Sequence, residues 1–150
     1  MSKRNYIDEI LDRKQRLLKG ASREDQFRRR VHPLVKGFRV IKSLNKSVDY
    51  RDEWLKYGVI GYMACVEGYF RVLIADLIDA GAPFSENVAN FKDLKLGVDS
   101  VIAIHSKKIT LGDFVANLLP LNNFQDIANN LSVILGLDFT KYFKEHKYPF

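Results

Sequence analysis

Apolar side chains recur every three or four residues over most of this chain, which is the spacing of one face of an α-helix. The longest such segment covers residues 49–80, and its middle carries no charge except Glu67 and Arg71. So little charge over such a length predicts a buried central helix. The large apolar side chains of this segment share one broad arc: Leu55, Val59, Tyr62, Met63, Val66, Tyr69, Phe70, Leu73, Ile74 and Leu77.

Small residues lie roughly opposite that arc and form a small-residue groove. A glycine inside a helix costs about 0.8–1 kcal/mol relative to alanine, so we expect another helix to approach closely along the groove. Alternatively, the groove is an interface for a partner's helix or for a homodimer. The groove consists of Gly58, Gly61, Ala64, Cys65 and Gly68.

Shorter helical patterns flank the central segment. One amphipathic pattern ends near Gly20, and a second runs from Phe27 to Ile41. In the last third, Thr110 is typical of a helix start and Pro120 of a helix end. These patterns predict an all-α fold, a bundle of about 5–7 helices around the long central helix at residues 49–80.

Capping residues mark four further helix ends. Asn123 is expected to cap a helix that Gly136 closes, which makes a helical hairpin with the preceding helix. Ser85 is expected to cap a short helix, and Asp138 a final turn. No repeat or linker divides the chain, so we expect one domain over residues 1–150, with a basic N-terminal third at residues 1–51.

The net charge of +6 is unevenly distributed. Residues 1–51 hold 15 Lys or Arg against 6 Asp or Glu, which leaves 9 against 12 in the remaining 99 residues. A basic region of this kind predicts association with an anionic partner, either RNA or an acidic protein. A solvated surface that maintains solubility is the other interpretation.

Pro33 interrupts the second helical pattern, because proline removes a backbone hydrogen bond and clashes with the preceding turn. Either the helix kinks at Pro33 or a new helix starts there. If the helix is continuous, a step of about 100° per residue places a row of cations on one flank, named here the basic ridge. The basic ridge comprises Arg28, Arg29, Lys36, Arg39 and Lys46, and Arg30 completes the residues that we predict to contact nucleic acid.

Glu67 and Arg71 are four residues apart, where two helical side chains can pair. If they are buried, we expect them as a hydrogen-bonded pair, because a lone buried charge is costly to desolvate. The pair is either a polar belt at a helix crossing or a polar site within an apolar bundle.

Patterns of catalytic or metal-binding residues are not evident. One cysteine, Cys65, and three histidines, His32, His105 and His146, lack the spacing of a zinc site. The sequence has no phosphate-binding glycine loop, dinucleotide fingerprint or nucleophile elbow. We therefore assign no catalytic residue, no metal and no cofactor, and we favour a role other than catalysis.

The N-terminus predicts a cytoplasmic protein. Residues 1–20 are rich in charge and lack the apolar centre of a signal peptide. The uncharged run Tyr57–Val66 in the central segment is shorter than the roughly 18–20 apolar residues that a membrane-spanning helix needs. We expect no membrane partner.

Four segments carry a resemblance to a known family. They are Gly61–Arg71, with a glutamate in mid-helix before aromatic and aliphatic residues, Ile109–Ala116, Asn122–Phe124 and Leu135–Phe139. Together they resemble a bacterial, defence- and toxin-associated branch of the HEPN superfamily, and the resemblance covers roughly residues 49–143.

The resemblance implies an α-helical bundle, often dimeric, in toxin–antitoxin, antiviral defence or RNA-processing systems. Active members are metal-independent ribonucleases that use an Arg and a His separated by four to six residues. This chain departs from that pattern, because no Arg stands at that spacing before His32, His105 or His146. Either the chain is a non-catalytic member, or the catalytic pair lies outside these 150 residues.

The first hypothesis is therefore a non-catalytic HEPN-like protein of a bacterial defence or RNA-associated system, which binds RNA or a partner protein. The alternative is a protein-interaction or dimerisation module without nucleic acid. A second alternative is a HEPN-type ribonuclease whose catalytic residues lie outside this chain.

Overall fold

A computed structural model describes residues 7–11, 22–43, 50–92, 94–139 and 141, and within these ranges the fold is all-α. The predicted fold class, with a long central helix, is confirmed. In chain order the helices are α1, of which residues 7–11 are described, α2 (Arg23–Ser43), α3 (Arg51–Asp79), α4 (Phe84–Asn87) with a 3-10 turn (Val88–Asn90), α5 (Val98–His105), α6 (Leu111–Leu118) and α7 (Phe124–Leu135).

The chain forms two compact units. One comprises Leu18–Tyr69, and the other comprises Met1–Leu17 together with Phe70–Phe150. The boundary falls within α3, so this helix contributes residues to both units. The expectation of a single domain stays a prediction.

The helix α2 is continuous through Pro33. Ser22 caps its start, because the Ser22 hydroxyl oxygen accepts a hydrogen bond from the Asp25 backbone N–H at 3.0 Å. Acidic Glu24 and Asp25 in the first turn and Lys42 in the last turn complement the helix dipole. The structure thus meets the condition under which the basic ridge was predicted.

Within the unit Leu18–Tyr69, α2 packs antiparallel against α3. A Cβ added at Gly58 would lie 2.6 Å from the Phe38 ring, and one at Gly61 would lie 3.4 Å from Leu34. Further along, the rings of Phe27 and Tyr69 are 5.1 Å apart between centroids. The two glycines therefore let the α2 side chains approach the α3 backbone.

In the other unit, the end of α3 packs closely against the start of α6. A Cβ added at Gly112 would lie 2.2 Å from the backbone oxygen of Ala75. The Gly112 backbone N–H donates to the Asp79 carboxylate at 2.9 Å. Ile74 and Ile78, at most 2% exposed, lie on this part of α3, so the contact fixes α6 beside the core.

Capping residues set the limits of α6 and α7 as predicted. Thr110 and Asp113 form a reciprocal capping box. The Asn123 side chain accepts from the Asp126 backbone N–H, and Gly136 ends α7 in the left-handed conformation with a φ of 64°. The Asp138 carboxylate likewise accepts from the Lys141 backbone N–H at 3.0 Å.

The expected cap at Ser85 is wrong. The helix α4 begins at Phe84, Pro83 holds the N-cap position, and no side chain makes the cap hydrogen bond. Pro83 has a φ of −84° at this position. The helix α4 is instead joined to α7 by a hydrogen bond from the Asn87 amide to the Ile134 carbonyl at 2.9 Å.

Burial along α3 differs from the sequence expectation that both of its sides are packed. Val66, Ile74, Ala75 and Ile78 are buried. Val59, placed by periodicity in the large apolar arc, is instead 56% exposed. The N-terminal part of α3 carries apolar residues around most of its circumference, which is more than one neighbouring helix can cover.

The contact at Gly112 predicts a large cost for an added methyl group. Gly112→Ala must displace the backbone of α3 rather than a flexible side chain, so we expect a loss of about 1–3 kcal/mol in the free energy of unfolding. Gly37→Ala is the control, because an added Cβ there meets nothing within 4 Å, and alanine stabilises a helix interior by roughly 0.5–1 kcal/mol. Urea unfolding measures both, and equal effects would contradict the α3–α6 contact.

The contact between Phe38 and Gly58 predicts energetic coupling. Gly58→Ala should be less favourable with the Phe38 ring present than in a Phe38→Ala background, where the methyl group has room. We expect a coupling energy of about 1 kcal/mol or more from a double-mutant cycle of unfolding free energies. Additive effects of the two substitutions would show that α2 does not pack on this part of α3.

Candidate nucleic-acid interface on α2

The helix α2 carries seven Lys or Arg against two Asp or Glu. Arg28, Arg29, Lys36 and Arg39 are exposed, and at about 100° per residue they fall within an arc of about 100° on a continuous helix. The basic ridge is therefore present for these four residues. From Arg28 to Arg39 it extends about 16 Å along the axis, which is long enough to contact several phosphates.

One cation of the basic ridge is paired within its own helix. The Arg28 guanidinium lies 2.6 Å from the Glu24 carboxylate, and both side chains are well exposed, at 74% and 66%. An exposed pair of this kind contributes little to stability. It does lower the positive potential at the start of the basic ridge, because the carboxylate competes with an incoming phosphate.

Of the other two predicted contact residues, one does not join this arc and one lies outside the described residues. Arg30 lies about 200° from Arg28 by helical geometry, and its guanidinium is 3.7 Å from the place of a Cβ at Gly68, so it is oriented towards α3. Lys46 lies outside the described residues. The basic ridge in the structure thus consists of Arg28, Arg29, Lys36 and Arg39.

His32 is a member of this surface that the sequence analysis left out. It is exposed and, by helical position, lies between Arg28 and Lys36 on the same arc. The sequence signal for this position is its spacing, because His32 is four residues from both Arg28 and Lys36.

The small-residue groove of α3 is occupied in part by α2 of the same chain. The side chains of Phe38, Leu34 and Arg30 lie against the glycines of the groove, Gly58, Gly61 and Gly68 respectively. Of the other two members, Ala64 is exposed and Cys65 is half-buried. The close approach expected from the glycines is therefore made within the chain.

Arg71 of the predicted polar pair connects α3 to α6. Its guanidinium donates to the backbone carbonyl of Ala116. Glu67 lies one turn earlier and, like Arg71, is half-buried. A hydrogen bond from a charged group to a helix carbonyl at the edge of the core is a structural contact, and the pairing of Glu67 with Arg71 stays a prediction.

Within the described ranges, no three His, Cys, Asp or Glu side chains come together in a way that could hold a metal ion. His105 is exposed at the end of α5, and His146 lies outside the described residues. The arrangement on α2 offers positive charge for phosphates.

The first turns of α3, and Tyr50 directly before them, expose several large apolar side chains outside the predicted apolar arc. Tyr50, Trp54, Tyr57 and Ile60 are 60–70% exposed. Together with exposed Ala64 they fall within an arc of about 120°, named here the aromatic face. Glu53 lies in the same arc, and its carboxylate accepts a hydrogen bond from Lys56 that raises the pKa of that ammonium.

By length and composition, α3 is the one helix in the described part of the chain that could cross a membrane. Only 17% of its most apolar 18-residue window is buried. A single helix of this kind is weak evidence for a membrane span. The expectation of a protein without a membrane partner stays a prediction.

Comparison of the chain with family models, with curated proteins and with solved structures finds no match. The resemblance to the HEPN superfamily therefore rests on the sequence motifs alone.

Proposed function

We propose that this protein is a non-catalytic HEPN-like helical protein of a bacterial defence or RNA-associated system, and that it binds RNA through the basic ridge of α2. The observation that carries the RNA proposal is the continuity of α2 through Pro33. Because of it, four exposed cations share one side of a single helix. The defence setting rests on the sequence resemblance.

Phosphate contact is the chemistry that suits the basic ridge. Each Lys or Arg that neutralises a phosphate releases condensed counterions, which drives binding and makes it depend steeply on salt. The basic ridge offers four such groups and, in α2, no exposed aromatic side chain among them for base stacking. The proposed binding is therefore directed to the RNA backbone and has little sequence preference.

The distribution of charge supports an oriented complex. Residues 1–51 hold the excess of cations, and the remaining 99 residues have more Asp and Glu than Lys and Arg. A polyanion is therefore attracted to the region that contains α2 and repelled by the rest. An acidic protein surface would be attracted by the same field, but it lacks the regular phosphate spacing that a row of cations fits.

Charge reversal on the basic ridge tests the proposal. We expect Lys36→Glu with Arg39→Glu to weaken binding to a generic RNA roughly tenfold or more at low salt, and to reduce the slope of log affinity against log salt by about 1.4 for a single strand. Fluorescence anisotropy over a salt series measures both quantities.

Lys92→Glu with Lys95→Glu is the matched control, because both side chains are exposed outside α2 and the net charge changes equally. If both double variants weaken binding to the same extent, the interaction is general electrostatics rather than a site on α2. A wild-type protein with no affinity for RNA at low salt overturns the proposal.

The pairing of Arg28 with Glu24 predicts that one substitution raises RNA affinity instead of lowering it. Glu24→Gln removes the carboxylate that competes for the Arg28 guanidinium, so we expect RNA affinity to rise about two- to threefold at low salt and less at high salt. Glu86→Gln, at an exposed acidic residue of α4, controls for the change in net charge. An unchanged affinity in Glu24→Gln, or an equal gain in both variants, would remove Arg28 from the interface.

A further inference from the structure

The four cations of the basic ridge lie in two rows along α2. At about 100° per residue, Arg28 and Arg39 are within about 20° of each other around the helix, and so are Arg29 and Lys36. We name the first pair the first row and the second pair the second row. The two rows are about 80° apart, and all four side chains are exposed. The basic ridge therefore presents positive charge along two parallel lines.

Two parallel lines of phosphates occur where the two strands of a duplex border a groove, whereas a single strand has one such line. We propose that the RNA bound by the basic ridge is double-stranded, and that α2 lies along a groove with each row in contact with the phosphates of one strand. This inference rests on the proposed function, because it names the class of RNA that the same site binds. Duplex DNA has the same arrangement of charge, and the experiment below separates the two.

The rows are long enough to contact more than one phosphate on each strand. Arg28 and Arg39 are about 16 Å apart along the helix axis, and Arg29 and Lys36 are about 10 Å apart. The acidic residues of α2, Glu24 and Asp25, lie in its first turn, before both rows begin. No carboxylate of α2 therefore stands between the two cations of either row.

Charge density favours a duplex on a surface of this kind. A nucleic-acid duplex carries about one negative charge per 1.7 Å of axis, and each strand by itself about one per 3.4 Å. Over the roughly 16 Å of the first row, a duplex thus presents about twice the charge of a single strand. Because counterion release drives binding at the basic ridge, each cation gains more from the denser counterion atmosphere of the duplex.

Base stacking is the interaction by which single strands offset their lower charge density, and α2 provides little of it. The Phe27 ring packs on Tyr69 of α3, and the Phe38 ring packs on Gly58. By helical position both rings lie about 130–150° from the middle of the basic ridge. His32, an exposed side chain between the two rows, offers a single imidazole. A strand on the basic ridge therefore has at most one ring of α2 to stack on.

Affinity for matched nucleic acids tests the proposal on the full chain. The probes are a short RNA duplex, one of its strands without self-complementarity, and the DNA duplex of the same sequence. In fluorescence anisotropy at low salt, we expect the RNA duplex to bind at least about fivefold more tightly than the single strand. We also expect log affinity for the duplex to fall with log salt at a slope of about 3.6, from four contacts of about 0.9 each.

Two variants with the same loss of charge test the arrangement in rows. Arg28→Ala with Arg39→Ala removes the first row, whereas Arg28→Ala with Lys36→Ala leaves one cation in each row. Both variants contain Arg28→Ala, so Glu24 loses its partner in both. We expect the first variant to prefer the duplex by less than about twofold and the second to keep most of the preference. Circular dichroism should show unchanged helix content, since the three side chains are exposed.

Each outcome separates this inference from the proposed function. A single strand that binds the wild type as tightly as the RNA duplex overturns the inference and leaves RNA binding in place. An equal loss of duplex preference in the two variants also overturns it, because the rows would then have no effect. If none of the three probes binds, the proposed function fails as well. Tighter binding of the DNA duplex than of the RNA duplex assigns the two rows to DNA and overturns the RNA part of the proposed function.

Discussion

The packing of this protein depends on glycines, at which a neighbouring segment of the chain approaches the backbone closely. The helix α3 belongs to both compact units, and each unit uses such a contact. In one, the Phe38 ring lies where a side chain at Gly58 would be. In the other, the backbone of α3 at Ala75 occupies the space of a side chain at Gly112. Because glycine has no side chain, a neighbouring group can pack directly against its backbone. This packing offsets the lower helix propensity of glycine.

Two surfaces of different chemistry result from this arrangement. The side of α2 that packs on α3 is mainly apolar, with Arg30 beside Gly68. Arg28, Arg29, Lys36 and Arg39 lie on the exposed side and form the basic ridge. The start of α3 has apolar residues on more sides than α2 covers, so Trp54 and Tyr57 stay exposed. The first surface suits phosphates and the second suits an apolar partner. An interaction at one does not require the other.

The candidate chemistry that the structure places on α2 is positive charge for contact with phosphates. His32 is exposed on the helix that carries the basic ridge, and the described residues provide no metal cluster. The Arg and His spacing of active HEPN ribonucleases is lacking in the sequence. The HEPN resemblance therefore supports a helical, RNA-associated role as a hypothesis and gives no reaction to assign.

The sequence by itself determined the features that depend on neighbouring residues. Thr110, Asn123 and Gly136 predicted helix ends correctly, because capping is a contact between residues three or four apart. At α4 the predicted cap residue, Ser85, was wrong, since Pro83 holds the cap position. The spacing of apolar residues predicted the long helix α3 correctly, because this spacing also depends on residues three or four apart.

Tertiary structure alone decided which faces of the helices are covered. The period that makes Val66 buried also places Val59 on the same arc, yet Val59 is exposed. Arg30 was predicted to contact nucleic acid with its basic neighbours, but helical spacing places it about 200° from Arg28 and it is oriented towards Gly68. Periodicity gives the direction of a side chain from its own helix axis, and burial depends on whether another helix lies in that direction.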